Sequence, residues 1–161
     1  MSDEIFKTKE KTSDRISLDE ITQGDLFNLT NKIEIPQEWL KILDSKYGLF
    51  ILNKESKVIR IVKADSDQIY KIVIYLKDPV SFVREVIKFY KNYSITLVST
   101  TGICFRGKNL EDCIYEAYVD LSKAQEEINA AKIIEIIQGF EGVEKIFVSP
   151  LKLKNKKKIK L

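Results

Sequence analysis

Between residues 68 and 149 the hydrophobic pattern switches repeatedly between a period of two and a period near 3.6, and this alternation limits the fold most. Residues 68–76 are β-formers that are apolar on both faces, as in a strand at the centre of a sheet. The run stops at Asp78-Pro79 and a helical pattern begins at once, with Phe82, Val83, Val86, Ile87 and Tyr90 forming the stripe of a helix over 79–92. Residues 94–105 and 112–121 read as strands joined across "RGKNLE", with Gly107 in the turn. In the second of them Cys113, Tyr115, Ala117, Val119 and Leu121 share one face, and Ile114, Glu116, Tyr118 and Asp120 the other. A second helix is expected over 122–138, with Ser122 as N-cap, Gln125 three residues on and Gly139 at its end. A last strand is expected over 143–149.

The resulting order, β-α-β-β-α-β, is the split βαβ or ferredoxin-like arrangement, which lays both helices on one face of an antiparallel sheet. The fold class expected is therefore α+β: a ferredoxin-like βαββαβ domain over 66–151, preceded by a small β-rich region over 16–65. The helix-free sheet face is too apolar to stay in water. It should pack on the N-terminal region, on a second copy, or on both, so a homo-oligomer, a dimer first, is expected.

Residues 1–15 are polar, mixed in charge and without period, and read as a mobile arm. "SLDEITQGDLFNL" allows a short capped helix over 17–21, a break at Gly24-Asp25 and then a strand through "LFNL". Ile33 and Ile35 alternate with Lys32 and Glu34 as in a half-buried strand. Pro36 ends that strand and suits the first turn of a helix carrying Trp39, Leu40, Ile42 and Leu43. "GLFIL" and "KVIRIVK" flank the polar turn "NKES" as a hairpin.

The stretch "IVIYLKDPVSFVREVIKFYKNYSITLVST" resembles an ACT domain, with Asp78-Pro79 at the first strand–helix joint and "NYSITLVS" as the second strand. The resemblance implies side-by-side or face-to-face pairing and an amino-acid or similar small-metabolite effector held at the joint by Asp78, Pro79, Val80, Ser81 and Phe82. Val80 stands where such domains usually carry glycine, and a β-branched residue obstructs close backbone approach to a carboxylate. Two readings of the joint stay open: free N–H groups near Ser81 and Phe82 hold a carboxylate, or Asp78 caps its own helix and fills the place internally. The block "NKIEIPQEWLKILDSKYGLFILNKESKVIRIVK" is similar to AbrB/SpoVT-type swapped-hairpin DNA-binding domains. That likeness implies DNA as a partner, touched by Lys32, Lys41 and Arg60. The alternative is that these strands cover the open face of the C-terminal sheet.

The tail 152–161, "KLKNKKKIKL", holds six lysines and no acid. It reads as a solubilising end, and Lys156, Lys157 and Lys158 are its candidates for contact with phosphates. The chain has no histidine and two cysteines, Cys104 and Cys113, in apolar strand-like surroundings. Histidine acid–base chemistry, Ser/His/Asp and Cys/His catalysis and most zinc sites are thereby excluded. Both cysteines read as small buried hydrophobes, with a cross-strand disulfide as the alternative that a cytoplasmic setting opposes. "TGICFRG" lacks the Lys-Ser/Thr ending of a phosphate loop, and Glu126-Glu127 and Glu111-Asp112 have charged neighbours that oppose burial. No enzyme activity, metal or cofactor is expected. No apolar run reaches the roughly 20 residues that span a bilayer and the N-terminus has no apolar leader, so no membrane partner and a cytoplasmic location are expected. Abundant Lys, Glu and Ile fit a thermophile or an AT-rich genome.

The expected function is regulatory: the ACT-like domain binds its effector at a dimer interface, with transcriptional regulation as one readout. Two alternatives remain: a non-catalytic dimerisation or protein-interaction module without ligand, and a regulatory subunit of a separate enzyme.

Overall fold

The computed structural model describes residues 21–28, 37–106 and 112–154. Strand β1 (Thr22–Asn28) is followed by a short helix α1 (Gln37–Leu43) and by strands β2 (Tyr47–Asn53), β3 (Val58–Ala64) and β4 (Ile69–Leu76). Helix α2 (Pro79–Asn92), strands β5 (Thr96–Arg106) and β6 (Asp112–Asp120), helix α3 (Ala130–Gln138) and strands β7 (Val143–Pro150) and β8 (Leu153–Lys154) complete the order. The described residues are mixed α+β, with two four-stranded sheets among them. The first runs β3-β2-β1-β8 and the second β5-β6-β4-β7. All pairs are antiparallel except β1 with β8.

Alternation along β4 and β6 divides the second sheet into two unlike faces. Ile72, Ile74 and Leu76 of β4 and Cys113, Tyr115, Ala117 and Val119 of β6 face one way. They bury Phe82, Val86, Phe89 and Tyr90 of α2 and Ile133 and Ile137 of α3, so both helices lie on that face. Cys113 packs there as a thiol, as its apolar setting implied.

The opposite face packs on the first sheet. Ile69 and Tyr118 meet Leu26, Leu49, Ile51 and Ala64, and Val73 and Ile114 meet Ile21. The molecule is thus layered helix, sheet, sheet. The apolar face that needed a cover is covered in part by the N-terminal block and the last strand, while Tyr75 and Phe147 on it stay partly exposed.

Leu153–Lys154, read as part of the tail, pair with β1 as β8, Val83 and Ile87 of the expected stripe are exposed, and two further elements differ from the sequence reading. The strand that was expected to begin after a break at Gly24-Asp25 runs through both residues. Gly24 sits against the Tyr118 ring, so it marks a close approach and not a chain break. The second helix begins at Ala130 and not at Ser122; Asn129 is the N-cap, accepting from Lys132 N–H at 3.0 Å. Ser122 instead donates its N–H to Asp120 Oδ1 at 2.8 Å, and residues 122–129 form turns. Of the helix expected over 17–21 only Ile21 is described, and it is not helical; residues 17–20, the Ile33/Ile35 strand and the turn at Gly107 lie outside the described residues, as do the Trp39, Leu40 and Cys104 side chains.

Candidate functional site

At the joint between β4 and α2 the chain caps its own helix. Pro79 occupies the first helical turn, where a missing N–H does no harm. Asp78 has extended backbone and its Oδ1 accepts from Val80 N–H at 3.0 Å, which is N-cap geometry. Phe82 is fully buried and meets the Tyr115 ring edge-on at 5.3 Å. Val80, in contrast, is 81% exposed.

The turn between α3 and β7 is pressed onto this joint. Lys77 N–H donates to the Gly142 carbonyl at 2.8 Å. Gly142 has φ +79°, and a Cβ there would stand 2.7 Å from Asp78 O and 2.8 Å from Asp78 Cβ. Lys77 and Glu144 pair at 2.9 Å across the rim, which raises the Lys77 ammonium above its ordinary value, first through the hydrogen bond to Glu144. Of the five residues assigned to a ligand here, Asp78 is spent on its own helix and Phe82 on the core.

A second place, between the two sheets, is polar and partly buried. Glu116 is fully buried on the face of β6 that meets the first sheet. Its Oε1 accepts from Ile21 N–H at 2.7 Å, and its Oε2 accepts from Thr22 N–H at 2.9 Å and from the Thr22 hydroxyl. Lys71 Nζ donates to the Thr22 carbonyl at 2.5 Å, lies 3.9 Å from Glu116 Oε2 and stands 5.9 Å from the centre of the Tyr118 ring. The Tyr118 and Thr22 hydroxyls are 2.9 Å apart. A buried charge is tolerated when it is paired and hydrogen-bonded. This network accordingly locks the start of β1 onto the second sheet.

Beside the network a cleft of about 130 Å³ opens to solvent, lined by Thr22, Asn53, Arg60, Ser99, Thr100 and Tyr118 among others. Strand β5 is irregular at this point, with register shifts between Leu97 and Ser99 and between Thr100 and Gly102. Gly102 has φ +70° with no atom within 4 Å of an added Cβ, so conformation and not crowding demands glycine there. Bulges of this kind re-aim side chains, often beside a site.

Of the candidate DNA-contacting cations, Lys41 and Arg60 fall among the described residues. Arg60 lies on β3 opposite Ile51 and lines the cleft, whereas Lys41 is exposed on α1. Lys32, Lys156, Lys157 and Lys158 lie outside the described residues. From the basic tail, Lys154 pairs with Asp25 at 2.6 Å.

The cleft could not be read from local pattern, because its lining comes from positions as distant as 22, 53, 60, 99 and 118. "STTG" was the one local signal, three short polar residues before a glycine in a strand. No group of three or more His, Cys, Asp or Glu side chains that could hold a metal occurs among the described residues, and no helix there is long and apolar enough to cross a membrane. No family model, curated protein or solved structure matches the chain.

Proposed function

We propose that this chain is a non-catalytic regulatory protein whose C-terminal part is a ferredoxin-like, ACT-type module sensing a small molecule. One observation carries the reading: an antiparallel sheet in the order β5-β6-β4-β7, built from consecutive β-α-β-β-α-β elements, with both helices packed on a single face. A ligand biases such a protein only by binding one arrangement better than another. The seam between the sheets suits that coupling, since it joins the sensing module to the N-terminal block through one polar network. Thermal-shift screening of the full chain against the amino acids and other small metabolites tests the reading. Stabilisation by one compound, growing with its concentration, is expected; a flat response across the whole panel overturns it.

A second reading, a protein-interaction module without ligand, is favoured by α2. Val80, Val83 and Ile87 form an exposed apolar stripe at i, i+3 and i+7. Sedimentation of the wild type and of Val83→Lys/Ile87→Lys distinguishes the two: a wild-type oligomer that the double substitution dissociates, together with a flat ligand screen, favours the module.

A further inference from the structure

The cleft between β3 and β5 holds donors that the protein leaves unspent. Thr22 donates its hydroxyl to Glu116, and Thr100 donates to the Glu116 carbonyl while accepting from Gly102 N–H. These groups have nothing left to give. Arg60 is different: it makes no hydrogen bond or ion pair among the described residues, although it lines the cleft. Asn53 spends its Oδ1 on Glu55 N–H and Ser56 N–H, at 3.0 and 2.8 Å, which leaves its side-chain NH₂ to donate. The hydroxyl of Ser99, held on the bulged stretch of β5, also has no partner among the described residues.

We infer that this cleft binds a small carboxylate, with the Arg60 guanidinium as its principal contact and the Asn53 amide and Ser99 hydroxyl as further donors. The inference rests on the ligand-sensing reading above and moves the site from the strand–helix joint to the seam between the sheets. A guanidinium presents parallel N–H groups that match the two oxygens of a carboxylate. Three donor groups from three separate segments suit an acceptor-only ligand. The volume, about 130 Å³, is close to the roughly 150 Å³ cavity that admits benzene, so the ligand has few heavy atoms beyond its carboxylate. Glu55 on the lining disfavours a second negative charge nearby. A ligand here touches β2, β3 and β5 together and so bridges the two sheets.

The test is a thermal-shift and calorimetric titration of the full chain with glycolate, pyruvate, glycine, succinate and inorganic phosphate. Wild type, Arg60→Gln, Arg60→Lys, Ser99→Ala and Asp78→Ala are compared. Arg60 is exposed, so its substitution leaves the fold intact. The expected result is saturable stabilisation by at least one monocarboxylate, weakened on the order of tenfold or more in Arg60→Gln. Arg60→Lys should recover only part of it, and Asp78→Ala should bind as wild type does. Carboxylate binding that survives Arg60→Gln but is lost in Asp78→Ala overturns the cleft and returns the ligand to the joint, leaving the sensing reading intact. Stabilisation by phosphate and by no carboxylate overturns the ligand class. A flat response to all five probes overturns the cleft; if the wider metabolite screen is also flat, the sensing reading falls with it.

Discussion

Gly24 lies against the ring of Tyr118 so closely that a Cβ on Gly24 would come within 2.2 Å of Tyr118 Cε1. The ring cannot swing aside cheaply, because Tyr118 is buried and its hydroxyl is 2.9 Å from that of Thr22. Gly24→Ala should therefore destabilise the protein by about 1–3 kcal/mol, the usual range for overpacking. Urea unfolding measures this. In a Tyr118→Ala background, the same change should lose most of its cost.

The Lys71–Glu116 pair makes a different prediction, since both side chains are buried between the sheets. Glu116→Ala leaves Lys71 buried without its carboxylate and strips the acceptors from Ile21 and Thr22 N–H. A loss of about 3–5 kcal/mol is expected. Lys71→Met should cost less, because Glu116 keeps its backbone donors. The double substitution should fall well short of the sum in a denaturation cycle. Strict additivity would mean that the two residues act independently.

At the joint, Gly142→Ala combines a positive φ with close contact to the Asp78 backbone. The expected cost is about 2 kcal/mol or more. Asp78→Ala removes only the cap, at about 1 kcal/mol. Thermal unfolding of both variants ranks them, and a harmless Gly142→Ala would contradict the close packing of this turn.

Alkaline stability should depend on Tyr90 and Tyr115, whose hydroxyls are 3.3 Å apart. Burial raises the Tyr90 phenol well above its ordinary value of 10.0, and the neighbouring Tyr115 raises it further. Burial also raises Tyr115, against hydrogen bonds from Tyr90 and Thr100 that lower it. The unfolded chain releases these protons near the ordinary value while the folded chain retains them. Their contribution is therefore complete below about pH 10 and is lost as pH rises through the folded values. Unfolding free energies measured across that range should fall, and Tyr90→Phe should flatten the decline.

Much of the architecture was legible because it is written in local pattern. The continuous apolar run of β4 implied a central strand, and β4 does pair with both β6 and β7. Asp78-Pro79 set the start of α2, since a proline without N–H and a short acid suit a helix entrance. The alternation of Cys113, Tyr115, Ala117 and Val119 against Ile114, Glu116 and Tyr118 assigned the two faces of β6.

Tertiary structure decided what covers the second face and what the polar residues on it do. Glu116 and Lys71 are charged residues on strand faces, and by pattern alone such residues belong in water. Here the start of β1 meets them: backbone N–H groups of residues 95 and 94 positions away compensate Glu116, and the Thr22 carbonyl accepts from Lys71. The same long-range contact turned Gly24 from an apparent breaker into a mid-strand residue and drew Asn53, Arg60 and Ser99 to one cleft. Periodicity reports how each segment divides itself between core and solvent. Which segments then face each other depends on the packing of whole sheets, and no local repeat encodes that.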